Sequence, residues 1–326
     1  MNTAIVSAPA NIAFIKYWGK SNSAMQWPTN DSISMTLEYC RTFLHISPRL
    51  VHDEIYFENK ILPASSKQYI FLDTVREKLG VSQKFKICTH NTFPSACGIA
   101  SSASFYAGLT FGLSVFLQQT ADTQKLTDIA RLGSGSACRS LMGGFVHWHR
   151  GENPSAQEVS AIPSSLELDD LIVIVSKQQK KYPSSLGHEA AIKSPLMPKR
   201  LENILNRIKI VHQALLGADF ATLAEICEED SNDMHAVAST SIPPIQYHTP
   251  STHKILAWTK KLRRSGIAVF FTVDAGPNVH LLCKTSDTQR VADSLIQNFP
   301  QFEIIKDTIG SGPRIEKHFP GEILSC

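Results

Sequence analysis

Residues Pro94-Ser95-Ala96-Cys97-Gly98-Ile99-Ala100-Ser101-Ser102-Ala103 form a turn of small residues that runs into a mainly apolar stretch ending near Leu117. A helix entered this way presents unpaired backbone N–H groups and the positive end of its dipole at its first turn, and Gly98 removes the side chain that would block close approach. Ser101 and Ser102 add hydroxyls that suit phosphate oxygens or a magnesium ion. The stretch therefore reads as a phosphate cradle opening a helix. An ordinary buried helix capped by its own serines has the same composition, and the rest of the chain decides between the two.

On either side the pattern mixes helices with neighbouring strands. Alternating or β-branched runs predict strands near Ala4–Ser7, Thr42–Ser47, Glu54–Phe57 and Lys84–Thr89, with a helix over Lys67–Leu79 that Gly80 ends. After the cradle helix, expected to span about Ile99–Gln118, come a helix over Thr123–Leu132 and a strand at Gly144–His149. Gly151–Asp170, rich in Ser, Pro, Glu and Asp, reads as a surface excursion, followed by a strand at Leu171–Ser176. Helical spacing over Lys199–Leu216, Phe220–Met234 and Thr252–Arg264 gives way to two strands, Ala268–Val273 and Val279–Cys283, around the turn Asp274–Asn278. A helix near Asp287–Gln297 and a strand near Glu303–Asp307 complete an α+β pattern. At 326 residues the chain suits two domains, placed at 1–180 and 181–326.

Composition narrows the class. With 43% hydrophobic and 19% charged residues and a net charge of +3, the chain reads as globular, and its basic excess is too small to argue for nucleic acid. No apolar run reaches the roughly 18 residues a membrane span requires, and the N-terminus is a poor secretory signal, so a cytoplasmic location is expected. Seven scattered cysteines without C-x-x-C spacing argue against a disulfide framework and a cysteine zinc site.

Four further segments carry polar chemistry. Ala8–Lys20 sets Lys16 and Lys20 four residues apart with Tyr17 and Trp18 between them, a point-charge arrangement suited to phosphate or simply a solvated face. Arg131–Ser140 is a second Gly/Ser turn, holding Ser134 and Ser136, and its Arg139 suits a carboxylate or phosphate. Asp274 ends an apolar strand at a Gly-Pro-Asn turn, where a carboxylate can orient an alcohol or merely start the turn. The lysine run Lys177–Lys181 precedes Ser184 and Ser185, whose hydroxyls suit a phosphorylated ligand. His147 and His149 share a strand face, but no third metal ligand is evident beside them.

Taken together, NIAFIKYWGK at Asn11–Lys20, PTNDSIS at Pro28–Ser34, FPSACGIASSA at Phe93–Ala103, RLGSGSACR at Arg131–Arg139 and DAGPN at Asp274–Asn278 resemble the diphosphomevalonate decarboxylase family of the GHMP small-molecule kinase superfamily. The resemblance implies a two-domain GHMP-kinase-like fold with its site in the cleft. It also implies ATP- and Mg²⁺-dependent decarboxylation of (R)-5-diphosphomevalonate to isopentenyl diphosphate, a step of isoprenoid biosynthesis, by a homodimer. By position, Asp274 would orient or deprotonate the tertiary hydroxyl, Arg139 would hold the substrate carboxylate and Lys16 would lie beside the reacting groups. Tyr17, Lys20, Ser134, Ser136 and Ser184 would contact substrate, and Gly98, Ala100, Ser101 and Ser102 would form the nucleotide loop. Two departures from the family pattern, Asp31 and His188, are expected to alter charge near the substrate. They keep a monophosphate-using decarboxylase as an alternative; the nearest rival reading is a superfamily kinase that phosphorylates mevalonate or a relative without decarboxylation.

Overall fold

Two long strands organise the N-terminal part of the chain: β1 (Ala4–Ile15) and β4 (Ser32–Arg49), paired antiparallel along nearly their whole length. The structure is a computed structural model and describes residues 3–94, 101–119, 122–153, 157–178 and 180–321. A register shift interrupts the pairing between Pro9 and Asn11, which oppose Arg41 and Thr36. Such a bulge switches which parity of side chain faces which layer. The extra residues lie on β4, whose odd positions Ile33, Met35 and Leu37 enter one core while its even positions Leu44 and Ile46 enter another. Strand β1 keeps its parity, sending Ala10, Ile12 and Phe14 to the first core and Val6 and Ala8 to the second, and Asn11 turns toward the segment around Ser140. The backbone N–H groups of Glu38, Tyr39 and Cys40 in the bulged stretch all donate to the buried carboxylate of Asp307.

Between these strands a short hairpin is formed by β2 (Lys20–Asn22) and β3 (Trp27–Pro28). The large sheet also takes β5 (Glu54–Phe57), β6 (Lys60–Ile61), β7 (Lys84–Asn91), β8 (Phe145–His149) and β9 (Glu158–Ile162). On it lie α1 (Lys67–Leu79), α2 (Ser101–Phe116) and α3 (Thr123–Gly133). As expected, α1 ends at Gly80, whose φ of 69° is the left-handed cap. Helix α2 seats closely on the sheet because Gly108 and Gly112 carry no Cβ; one added there would lie 2.4 Å from Leu44 Cδ1 or 2.6 Å from Ile46 Cδ1.

The second sheet has the order β11-β12-β10-β13, from β10 (Leu168–Ile174), β11 (Val269–Thr272), β12 (Val279–Lys284) and β13 (Glu303–Thr308). Helices α4 (Ser184–Ala191), α5 (Met197–Leu216), α6 (Phe220–Ser239), α7 (Pro250–Arg264) and α8 (Thr288–Asn298) accompany it. One core joins Ile12, Phe14, Ile33 and Met35 of the first sheet to Ile208 and Leu223 of the helices and Phe270 and Leu282 of the second sheet. The last strand, β14 (Arg314–Ile315), returns to pair with β1. Because β10 precedes residue 180 and β14 lies near the end of the chain, neither sheet is built from one continuous half of the sequence.

Two readings of the sequence need correction. The expected excursion Gly151–Asp170 contains β9 and the start of β10, because Val159, between polar Glu158 and Ser160, and Ile162 are buried. The Gly/Ser turn after Arg131 winds into a 3₁₀ helix, Gly135–Leu141.

Candidate active site

A cleft of about 810 Å³ opens between the first sheet with its helices and the α4–β11 side of the molecule. Its lining includes Lys16, Tyr17, Lys20, Ser101, Ser102, Ser134, Ser136, Arg139, Ser184 and Asp274, ten of the residues singled out in the sequence. Gly98 and Ala100, the remaining two, lie outside the described residues.

Asp274 follows β11 and turns its carboxylate to the lysine that follows β1: Lys16 Nζ lies 2.6 Å from Asp274 Oδ1 and donates to Ala13 O at 2.8 Å. Both ends of this pair are held from behind. Val273 N donates to Ser231 Oγ, and His235 on α6 reaches Val273 O, so the residue before Asp274 is anchored. Lys16 N donates to the fully buried Asp230 carboxylate, and Lys16 O accepts from Asn30 Nδ2 and Arg200 Nη2. Arg200 and Arg207 in turn flank Asp230.

Arg139 is 3% exposed, and its guanidinium meets neutral acceptors: Nε donates to Ser34 Oγ, Nη1 to Ser32 Oγ and Nη2 to Asn11 Oδ1. Asn11 is itself oriented by donating to Ser140 Oγ and Ser136 O. No carboxylate among the described residues lies within ion-pair distance of it. Burial pulls its pKa below the ordinary arginine value, opposed by Cys138, Asp274 and Tyr17. A buried cation without a counter-ion is costly unless an anion arrives to share the space, and the cleft gives an anion that access.

Around this centre the sequence supplies donors. Ser102 and Ser134 hydroxyls stand 3.3 Å apart at the head of α2, and Ser136 follows 3.5 Å from Ser134. Lys180 Nζ donates to Ser184 Oγ and to Ala275 O, bridging the start of α4 to the turn after Asp274. Lys20 and Lys67 line the same wall. Burial holds Lys20 below the usual ammonium range, with Glu189 opposing and Lys67 reinforcing the shift. Burial pushes the Tyr17 phenol well up, and its ring packs so closely on the 3₁₀ helix that a Cβ at Gly135 would lie 2.5 Å from Tyr17 Cε1.

The residues that hold the centre escaped the reading of the sequence. Ser32 and Ser34 alternate on β4 and so face one side, a signal that sat inside a quoted motif. Asp230, Arg200 and Arg207 come from two helices and meet only in the fold. The expected charge effects of Asp31 and His188 are corrected. Asp31 is not among the cleft residues and engages His147 Nε2 at 3.1 Å and Arg150 N at 2.9 Å. His188 does line the cleft, but burial keeps it neutral, its pKa well below the ordinary value, with Lys20 acting in the same direction. Its Nδ1 accepts from Gly19 N.

Sequence models of a diphosphomevalonate decarboxylase-like N-terminal domain and a mevalonate 5-diphosphate decarboxylase C-terminal domain match residues 8–161 and 170–322. The chain belongs to the diphosphomevalonate decarboxylase family. It is 32% identical to the diphosphomevalonate decarboxylase of Candida albicans, over 96% of this chain and 98% of that one. Among solved structures, the mevalonate diphosphate decarboxylase of Staphylococcus aureus superposes with a TM-score of 0.90 at 31% identity, covering 97% and 98% of the two chains. MDDEF in complex with MVAPP, AMPPCP and magnesium gives 0.90 at 30%, covering 97% and 99%. These matches place this chain's two-sheet architecture within the decarboxylase fold.

Proposed function

We infer that this chain catalyses the ATP- and Mg²⁺-dependent decarboxylation of (R)-5-diphosphomevalonate, releasing isopentenyl diphosphate, ADP, phosphate and CO₂. The observation that carries the reading is the pairing of Asp274 with Lys16 at 2.6 Å in the same cleft as the buried Arg139, which among the described residues meets only neutral acceptors. The kinship with diphosphomevalonate decarboxylases supports it, as does the complex of a related chain with MVAPP, AMPPCP and magnesium.

The residues fit a bound nucleotide and its metal: Ser101 and Ser102 open the 16-residue helix α2 toward the cleft, where Ser134 adds a hydroxyl and Lys67 positive charge. Magnesium-ATP would supply the phosphoryl group that makes the tertiary hydroxyl a leaving group. Asp274 would accept the hydrogen bond of that hydroxyl and take its proton as the oxygen is phosphorylated, in a transfer where positioning does most of the work. Lys16 would hold Asp274 in place and balance negative charge gathering beside it. Arg139 would grip the substrate carboxylate, aligning the carbon–carbon bond whose electron pair becomes the alkene as phosphate departs and CO₂ is lost. Tyr17, Lys20, Ser136, Ser184 and Lys180 would surround the diphosphate end, with lysines as point charges. A preorganised, charge-lined cleft suits the short-lived positive charge at the tertiary carbon.

The family resemblance also supports a homodimer working in the cytoplasm. The activity is tested by incubating the protein with magnesium-ATP and mevalonate, its 5-phosphate or its 5-diphosphate, while ADP and CO₂ are measured together. Equal ADP and CO₂ from the diphosphate alone is the expected result. ADP without CO₂ would make the protein a kinase, and CO₂ from the monophosphate would overturn the substrate assignment.

A further inference from the structure

Outside the cleft, three side chains from two strands converge. His147 and His149 alternate along β8, so both imidazoles stand on one face, with ring centroids 3.6 Å apart. Strand β8 pairs with the first half of β4, Ser32 opposite Trp148, which brings Asp31 alongside the two rings. Asp31 Oδ2 lies 3.1 Å from His147 Nε2 and 3.7 Å from His149 Nδ1. One donor atom from each of the three residues lies within 4.8 Å of the other two, and among the described residues no other group of His, Cys, Asp and Glu is gathered in this way.

The surrounding contacts select the atoms left for a ligand. Arg150 N donates to Asp31 Oδ1, leaving Oδ2 for the histidines. His149 Nε2 sits 3.1 Å from Ser160 Oγ. We assign the tautomer in which Nε2–H donates to that hydroxyl, so that Nδ1 points its lone pair toward Asp31 Oδ2. At 3.7 Å the two atoms are beyond hydrogen-bond distance, and a lone pair facing a carboxylate oxygen is repulsive unless a cation stands between them. A hydroxyl that orients the far nitrogen of an imidazole is the support that metal-ligating histidines use.

The spacing and chemistry agree on the ion. Tetrahedral coordination with bonds of about 2.0–2.2 Å needs donors about 3.3–3.6 Å apart, a value bracketed by the two distances from Asp31 Oδ2, while the two histidine nitrogens lie within 4.8 Å of each other. Two imidazoles and one carboxylate suit zinc or a similar borderline divalent ion, whereas magnesium and calcium prefer oxygen alone. The His149 side chain is 38% exposed, which gives an ion an entry path and room for a water as fourth ligand. We propose that Asp31, His147 and His149 form a zinc site that clasps the start of β4 to β8. The clasp lies one residue from Ser32, whose hydroxyl holds Arg139, so it would stiffen the back wall of the cleft without entering it.

The test titrates the metal-stripped full chain with zinc by calorimetry and with cobalt(II) by visible absorption. One equivalent per chain is expected, with a cobalt spectrum of four- or five-coordinate nitrogen and oxygen ligation and a Tm that rises with zinc. Asp31→Asn and His149→Ala should each weaken binding at least about tenfold, and Ser160→Ala by about tenfold through the lost orientation. His149 is partly exposed, so its variant keeps the far-ultraviolet circular dichroism of the parent and remains interpretable. His248→Ala, in the separate His235–His248 pair, should bind zinc unchanged. No saturable binding at micromolar zinc, undiminished affinity in Asp31→Asn and His149→Ala, loss in His248→Ala instead, or displacement of zinc by millimolar magnesium would each overturn the site.

Discussion

In the proposed reaction Asp274 acts on the hydroxyl and Arg139 holds an anion, and their surroundings predict different variants. Asp274→Ala should lower kcat by roughly 10²–10⁴-fold, the range a positioned acid–base group supplies, while the affinity for nucleotide, measured by fluorescence titration, stays near that of the parent. Arg139→Gln should lower kcat by roughly 10²–10³-fold, as loss of a preorganised charge contact does. It should leave Tm unchanged or raised, because Ser32, Ser34 and Asn11 then surround a neutral amide rather than a buried cation without a counter-ion. A lower Tm with normal turnover would make Arg139 a structural residue. Residues of this kind were legible in the sequence because Gly/Ser turns and a strand-ending aspartate leave local traces. Asp230 left none, since it meets Lys16 N only after α6 packs behind β1.

At the scale of elements, legibility followed local signals. The end of α1 at Gly80 matches the reading because a left-handed glycine cap is written in adjacent residues. Strands β1 and β4 read as fragments because Pro9 and the small residues around it break the alternation of β1, and the bulge breaks that of β4. Pro9 is tolerated because it lies beyond Val6 and Ser7, where β1 pairs with β14, and so faces a free edge. The return of the chain to the first sheet was invisible because it depends on backbone contacts. Gly310 N donates to Thr36 O, and Gly310 O accepts from Gly144 N, at 2.8 Å each. A Cβ at Gly310 would lie 2.4 Å from the carbonyl carbon and oxygen of Leu37, and neither is the tip of a movable side chain. Gly310→Ala should therefore cost about 2 kcal/mol or more, read as a lower urea midpoint with the nucleotide affinity of the remaining folded protein preserved. An unchanged midpoint would mean that the segment moves aside freely.

Across the whole molecule, three histidines line the seam where the segment after β1 meets the second set of helices. His188 packs against the Tyr17 and Trp18 rings, and His235 stacks on His248 behind Val273. All three are held neutral by burial, with neighbouring cations adding to the shift; His188 and His235 lie well below the ordinary value, and His248 is pushed down to about 4. A histidine whose folded pKa is depressed lets the unfolded chain bind protons that the folded chain refuses. Stability is therefore full above about pH 6.5 and drains as the pH falls toward 4. For His248 the full loss is about 3 kcal/mol, and the other two continue it to lower pH. Glu54, whose burial is outweighed by hydrogen bonds from Arg49 and Tyr56, keeps its charge through this window, so its contribution goes only below the ordinary carboxylate range. Urea midpoints at pH 7.5, 6, 5 and 4.5 should fall steadily in the parent and less steeply in His248→Gln, with proton uptake on unfolding at pH 5 reduced by about one in the variant. Equal slopes in the two proteins would remove His248 from the acid response and leave the seam to His188 and His235.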